Sequence, residues 1–319
     1  MDEADMFGIL RRLKNKGVLG INGRNANFTL KYNPRRLYPL VDDKLRTKKL
    51  AQDNGIPVPE LYAVFKVAGQ VHELPEVLRN YRDFVIKPAH GSGGEGILVI
   101  SRSINGGFCK QDGDSITLEE LKHHVFNTLS GLYSLGGQPD EVLAEYRVQF
   151  DPLFEKISYE GVPDVRIVVM WGVPTMAMVR LPTKESDGKA NLHQGAIGVG
   201  ICMSRGMTLR GVWKNEIVNE HPDTGNPVTG LSIPGWDRLL ELSARWFELT
   251  GLGYLGVDIV LDRTLGPLTL ELNARPGLNI QVANNSGLLP RLRMVERHYK
   301  DLVSVEDRVT FAKEHFACV

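Results

Sequence analysis

The chain has 319 residues, of which 42% are apolar and 24% charged; that is enough apolar material to bury a substantial core and too much for a disordered chain. Lys and Arg total 38 against 38 Asp and Glu, so no overall field favours nucleic acid or an anionic membrane, and any basic chemistry has to be local. The length fits one large domain or two joined closely. Cys109, Cys202 and Cys318 are odd in number and show no close spacing. That argues against a disulfide framework and a zinc site, and makes a reducing cytoplasm the expected compartment. The first residues, Met1 to Asp5, are acidic where a signal peptide is basic, and no run of about 18 apolar residues offers a membrane span.

Ile9, Leu10 and Leu13 fall at helical spacing among Arg11, Arg12, Lys14 and Lys16, which predicts a short amphipathic helix over 7–16 stopped by Gly17. Its length favours an ordinary surface helix over one lying on a membrane. Residues 20–27, rich in Gly and Asn, read as loop, and 33–39 as a rigid connector. A helix is expected from Lys44 to Asn54, closed by Gly55 and the pair Pro57 and Pro59. A strand over Leu61–Val67 and a helix over Leu74–Tyr81 follow. Then Phe84–Pro88 and Ile97–Ser101 flank the glycine-dense run His90–Gly96, the pattern of a hairpin with a long tip. A helix over 117–135 and a strand over Val142–Val148 come next, and 164–181 holds two strands meeting near Gly172. Residues 210–234 read as an insertion or long loop. Trp236–Thr250 is an amphipathic helix, and strands are expected over Gly256–Asp262 and Leu268–Arg275.

The last strand carries the chemistry. Period 2 puts Glu271, Asn273 and Arg275 on one face and Leu270, Leu272 and Ala274 on the other. Hairpin pairing with the preceding strand would bring Asp258 beside Glu271. Two carboxylates about 4 Å apart repel by roughly 1–4 kcal/mol, and a divalent cation reverses that sign. An all-oxygen set of Asp, Glu and Asn suits Mg²⁺ shared with phosphates; a charged outer face on an ordinary hairpin is the plainer alternative.

Gly91, Ser92, Gly93, Gly94 and Gly96 offer backbone N–H groups without Cβ obstruction, fit for phosphate oxygens, although the loop has neither the P-loop nor the dinucleotide-binding spacing. Lys87, at the inner end of the strand feeding that loop, is costly to bury unless it meets an anion. Arg166, on the same strand face as Asp164, and Arg180 and Arg275 fall at or near strand ends. Three guanidiniums there suit carboxylate and phosphate, with a solvated surface ion pair as the alternative. Lys189, Asn191 and His193 follow in a polar segment, and no Ser-His-Asp or Cys-His set competes.

Asp43–Lys44, Val85–Pro88 with its glycine loop, Leu143–Tyr146, Asp164–Arg166, Asn191–His193, Val257–Asp258, and Glu271–Asn273 with Pro276 and Gly277 occur in one order. That order resembles the ATP-grasp superfamily over about residues 42 to 290. Asn191–Gly195 and Glu271–Leu278 look most like the RimK-type α-L-glutamate ligases. The resemblance implies an α+β fold in which two α+β subdomains, 42–148 and 149–300, clasp ATP. A reduced N-terminal region over 1–41 would replace the usual α/β domain, and 301–319 would be a tail.

It also implies that Lys44, Lys87 and the glycine loop hold ATP phosphates and that Glu145, Tyr146 and Val148 form a hinge against adenine. Asp258, Glu271 and Asn273 would bind Mg²⁺, with Mn²⁺ as a substitute. Arg166, Arg180, Asn191 and Arg275 would hold the γ-phosphate and the acceptor carboxylate. The partners implied are a carboxylate, which a peptide or protein could supply, and an amine or amino acid; homo-oligomerisation is one way to rebuild the missing wall. Phosphotransfer that stops at a phosphorylated product and a non-catalytic regulatory module are the rival readings. The chain departs from the family in an extra segment over 149–161, where Glu155 is a candidate ribose partner. It departs again at Lys189 and Arg275, which replace an arginine and a small residue.

Overall fold

The computed structural model describes residues 8, 11–91, 93–104 and 107–318. The chain separates into two compact units, Asp42–Gln149 and a second that joins Met1–Val41 to Phe150–Val319.

In Asp42–Gln149, helix α1 (Lys44–Asp53) starts where the Asp43 carboxylate accepts from Leu45 N at 2.9 Å and Arg46 N at 3.2 Å. The strands are β1 (Leu61–Phe65), β2 (Phe84–Pro88), β3 (Leu98–Ile104), β4 (Gly107–Lys110), β5 (Ser115–Thr117) and β6 (Val142–Glu145). Among the described residues they form one antiparallel sheet in the order β1-β6-β2-β3-β4-β5. The expected hairpin forms with Val85 opposite Val99. Helix α2 (Leu118–Leu129) opens on a reciprocal cap between Thr117 and Glu120. Its Leu121, Val125 and Leu129 join Phe65, Phe84, Ile86 and Ile100 in the core, each side chain contributing about 1.5–3 kcal/mol by leaving water. The helix stops short of 135 because Gly131 turns left-handed at φ 89°. β6 ends at Glu145, short of Val148, with one further bond from Tyr146 N to Glu60 O at 2.8 Å beside β1.

The other unit is built on β7 (Asp164–Met170), β8 (Val173–Leu181), β9 (Ile197–Ile201), β10 (Thr208–Trp213), β11 (Glu216–Val218), β12 (Tyr254–Asp262) and β13 (Gly266–Asn273). Their order is β11-β10-β9-β8-β7-β12-β13, antiparallel throughout. Alternation gives the sheet an apolar face of Val165, Ile167, Val179, Val257 and Ile259, all buried. Helix α3 (Trp236–Thr250) packs on it, its Trp246 indole N–H donating to Thr269 Oγ1 at 3.4 Å. Helix α4 (Leu289–His298) follows, and helix α5 (Val305–His315) packs against α3 and β8.

Four sequence expectations change. Residues 20–27 are mostly helix, not loop: Ile21–Arg24 continues through a π-helical Asn25–Thr29 into Leu30–Tyr32. Phe28, fully buried with its ring 5.9 Å from that of Tyr254, supplies packing that overrides the poor propensity of Gly and Asn. The insertion expected over 210–234 contains the end of β10 and all of β11, turning on Lys214 and Asn215 at φ 49° and 68°. That two-residue turn is usually announced by Asn-Gly, and Lys-Asn gives no such signal. The tail expected over 301–319 holds α5. Finally, Cys202 and Cys318 are disulfide-bonded across 116 residues, a pairing that neither their count nor their spacing reveals. It removes the composition-based ground for a reducing cytoplasm. Cys109 is free and buried. Among the described residues no helix is long and apolar enough to cross a membrane.

Candidate active site

Opposite its apolar face, the seven-stranded sheet carries a row of charges fixed by strand register. Asp164 of β7 pairs with Arg180 of β8, Arg166 of β7 with Asp258 of β12, and Asp258 with Glu271 of β13. A register shift after Asp258 leaves Leu270 as the extra residue. Arg166 grips Asp258 with both arms of its fork, Nε to Oδ1 at 2.7 Å and Nη2 to Oδ2 at 2.5 Å. Arg180 grips Asp164 the same way, at 2.6 and 2.5 Å, and its Nη2 also reaches Asp258 Oδ2 at 2.9 Å. The Asn273 amide donates to Asp258 Oδ2 at 3.2 Å.

Burial acts upward on both aspartates, with different outcomes. It prevails at Asp164, which is pushed up to about 6 against the pull of Arg180. At Asp258 the Arg166 and Arg180 guanidiniums outweigh it and hold the carboxyl down at about 2. Arg180 also loses water, but Asp164 and Asp258 more than compensate and raise its pKa above the usual arginine range. Such buried forks give orientation more than net stability, since desolvation cancels much of the attraction.

Glu271 is half-buried and makes no hydrogen bond or ion pair among the described residues. Its carboxylate and the Asn273 carbonyl oxygen, one turn of the alternation away, are all-oxygen donors of the kind Mg²⁺ takes. Asp258 completes that set by register, but each of its oxygens already receives an arginine. Among the described residues no group of three or more His, Cys, Asp or Glu stands together to hold a metal, and by donor chemistry Glu271 and Asn273 are the oxygens left to a divalent cation. Asn191 caps the short turn Leu192–Gln194, accepting from His193 N at 3.0 Å. Leu192 of that turn packs over Gly198, the register partner of Arg180. Arg275 does not share the face: β13 ends at Asn273, and Arg275 lies exposed with its guanidinium carbon 5.4 Å from the Tyr38 ring centroid. Glu155, the ribose candidate, is exposed and pairs with Arg263.

In Asp42–Gln149 the expected phosphate lysine meets a protein anion. Lys87 is 6% exposed and ion-paired to Glu145, whose other oxygen lies 2.8 Å from Lys48 Nζ. Glu145, expected on an adenine hinge, thus ends β6 with its carboxylate buried. Burial works to raise its pKa, but Lys87 and Lys48 overcome it and the net shift is downward. Burial carries Lys48 from 10.5 down to about 8, against the attraction of Glu145. Tyr146 and Val148 lie beyond the strand end, Val148 buried. Lys44 reaches back to the glycine loop, donating to Gly91 O at 2.6 Å. In that loop Gly93, Gly94 and Gly96 are left-handed at φ 67°, 82° and 73°. A Cβ on Gly96 would come within 2.6 Å of the Tyr133 ring. Ser92 lies outside the described residues.

Sequence reasoning missed two groups here. Lys48 is one helical turn past Lys44 and reads as a surface lysine; its signal is its place on the face of buried Thr47 and Ala51. The second is His90 with Asp140, joined Nδ1 to Oδ1 at 2.7 Å.

A profile of sugar-transfer associated ATP-grasp proteins matches residues 23–297. The chain belongs to this ATP-grasp family. The superfamily expected from the ordered motifs is thereby established, under a sugar-transfer heading rather than a RimK-type one. The α+β architecture of both units accords with the ATP-grasp fold. No curated protein matches the chain. Among solved structures, the ATP-grasp ligase PsnB complexed with a minimal precursor is 16% identical, with a TM-score of 0.45, over 83% of this chain and 63% of that one. The D-cycloserine synthetase DcsG is 18% identical, TM-score 0.46, over 83% and 73%. The D-alanine–D-alanine ligase of Bacillus anthracis is 13% identical, TM-score 0.45, over 87% and 68%. The ATP-grasp chain thus spans less than two thirds of PsnB, and likenesses this distant carry no functional weight.

Proposed function

We propose that this ATP-grasp protein is an ATP- and Mg²⁺-dependent ligase that joins a carboxylate to an amine through an acyl phosphate. The observation that carries the reading is the charged row: two guanidiniums anchored by buried aspartates, with Glu271, whose side chain pairs with no described residue, and Asn273 beside them. Phosphoryl transfer to a carboxylate is chiefly positioning and charge stabilisation, which such a row can supply. A substrate carboxylate oxygen attacks the γ-phosphorus and ADP leaves. The amine nitrogen then attacks the carbonyl carbon, phosphate departs with its bridging oxygen, and the nitrogen loses a proton.

Arg166 and Arg180 are held by Asp258 and Asp164 with N–H groups left over for phosphoryl or carboxylate oxygens. Lys44, with the glycine-loop N–H groups, is the group proposed to meet nucleotide phosphates; Lys87 joins only by giving up its buried pair with Glu145. Glu271 and Asn273 would hold Mg²⁺, which would supply neutralisation of phosphate charge. Addition of an amino acid such as glutamate to a peptide, protein or small carboxylate follows from the RimK-type resemblance. The family's sugar-transfer association adds sugar-bearing acids and amines as substrates.

The intact Asp258, Glu271 and Asn273 set speaks against a decayed regulatory module. Isotope transfer tests the reading: with the substrate carboxylate labelled by ¹⁸O, one label should appear in inorganic phosphate for each amide formed. Phosphate free of label, or a stable phosphorylated product without amide, rules it out.

A further inference from the structure

A cavity of mixed lining lies in the Phe150–Val319 part of the chain, and none of the charged row lines it. Its volume is ≈ 600 Å³, within the range of small-molecule sites. The ends of β9 and β10 form one wall and the turn after the short helix Ile280–Ala283 another. The C-terminal segment, pinned by the Cys202–Cys318 disulfide, forms the third. Two cations line it, Arg210 and Arg291, and no aspartate or glutamate does.

Arg291 is the group without a balancing charge. Its Nη1 donates to Thr175 O at 2.8 Å and its guanidinium carbon stands 5.4 Å from the Phe316 ring centroid. Among the described residues it has no ion pair, so burial alone acts on it and carries it from 12.5 down to about 10. It remains a cation at neutral pH, partly stripped of water with only a carbonyl and a ring for company, which is costly unless an anion arrives. Asn285 stands on the same wall in a left-handed conformation at φ 46°, next to Ser286. Neither side chain is hydrogen-bonded among the described residues. Asn285 is exposed and Ser286 half-buried, so both side chains are free to donate to a ligand in the cavity. Phe316, Ile201 and Met203 supply an apolar side for the body of a ligand. The wall also reaches β9, the neighbour of Arg180's strand β8: Ala283 lies over Gly198 and Gly200, and Asn284 over Gly200.

We propose that this cavity binds a small organic anion, its phosphate or carboxylate on Arg291 and Arg210 with Ser286 and Asn285 as further donors, and its apolar body against Phe316. The site is separate from the one that holds ATP.

The test is calorimetric titration of the full, oxidised chain with phenyl phosphate, benzoate and, as a neutral control, benzyl alcohol. One equivalent of phenyl phosphate or benzoate should bind and benzyl alcohol should not; the tighter of the two anions identifies the head group. Arg291→Gln should weaken binding about tenfold or more, the loss of a charge-assisted hydrogen bond. Arg210→Gln, at an exposed position where folding is not at stake, should weaken it by a smaller factor. Binding should persist in Asp258→Asn and with saturating Mg²⁺-ATP present. Equal affinity in both arginine variants, displacement by Mg²⁺-ATP, or no binding of either anion overturns the proposal.

Discussion

Glu145→Gln probes the buried triad of Asp42–Gln149 most sharply. Glu145, Lys48 and Lys87 are 3%, 4% and 6% exposed, so the substitution strands two ammonium groups where neither water nor a carboxylate reaches them. Removing one partner of a buried pair typically costs about 3–5 kcal/mol, and here a single carboxylate serves two lysines. The pH dependence carries the diagnosis. In the parent protein Lys48 titrates at about 8 when folded and at 10.5 when unfolded. The unfolded chain therefore binds more protons between those values, and unfolding free energy rises with pH across that window, by up to about 3 kcal/mol.

Without Glu145 the folded Lys48 loses its largest support and releases its proton below 8. The variant then recovers stability earlier than the parent does. The deficit should be largest near about pH 6 and smaller near about pH 8.5. Urea unfolding followed by far-UV circular dichroism is the assay, since all four tryptophans lie outside 42–149. A deficit under about 1 kcal/mol at the lower pH, or one that does not shrink at the higher, refutes the reasoning.

Three further outcomes follow from the other unit. Asp258→Asn removes the anchor of Arg166 and one bond of Arg180 and should cost about 3–5 kcal/mol in denaturant unfolding. Asp164→Asn leaves Arg180 its bond to Asp258 and should cost about 1–3 kcal/mol; the reverse ranking contradicts the hydrogen-bond assignment. Glu271→Ala should leave the unfolding curve within about 0.5 kcal/mol of the parent, as among the described residues it makes no hydrogen bond or ion pair, while abolishing Mg²⁺-dependent ATP turnover; unchanged turnover refutes its proposed place at the metal. Thiol titration in denaturant should find one reactive cysteine without reductant and three with it; three in both cases excludes the disulfide.

Strand pairing was partly legible in the sequence because alternation is local: the Asp258–Glu271 pairing follows from period 2, and a hairpin over Phe84–Ser101 from its apolar runs and glycine-dense turn, while its Val85–Val99 register came only from the structure. So was α3, whose apolar stripe and closing Gly251 mark both its face and its end. What escaped was decided by distant partners. Residues 21–32 are helical because Phe28 finds Tyr254, and Lys48 is buried because Glu145 lies 97 positions later. The disulfide joins cysteines that only the placement of α5 brings together. At the candidate site, alternation named Arg166, Arg180, Asp258 and Glu271 as candidates, and register sets them side by side, but the sequence did not show that the arginines would be spent on the aspartates. Arg275 shows the converse, a face inferred by extending alternation beyond Asn273, where β13 ends.

The central claim, that ATP is spent on joining a carboxylate to an amine, is tested most directly by ADP release. It should be measured in one reaction with Mg²⁺-ATP alone, with a carboxylate added, and with carboxylate and amine together, drawing both from a panel of amino acids, short peptides and sugar-bearing acids. Sustained ADP release should require both co-substrates and match amide product, identified by mass, one for one. Release with ATP alone, or ADP without amide, contradicts the account.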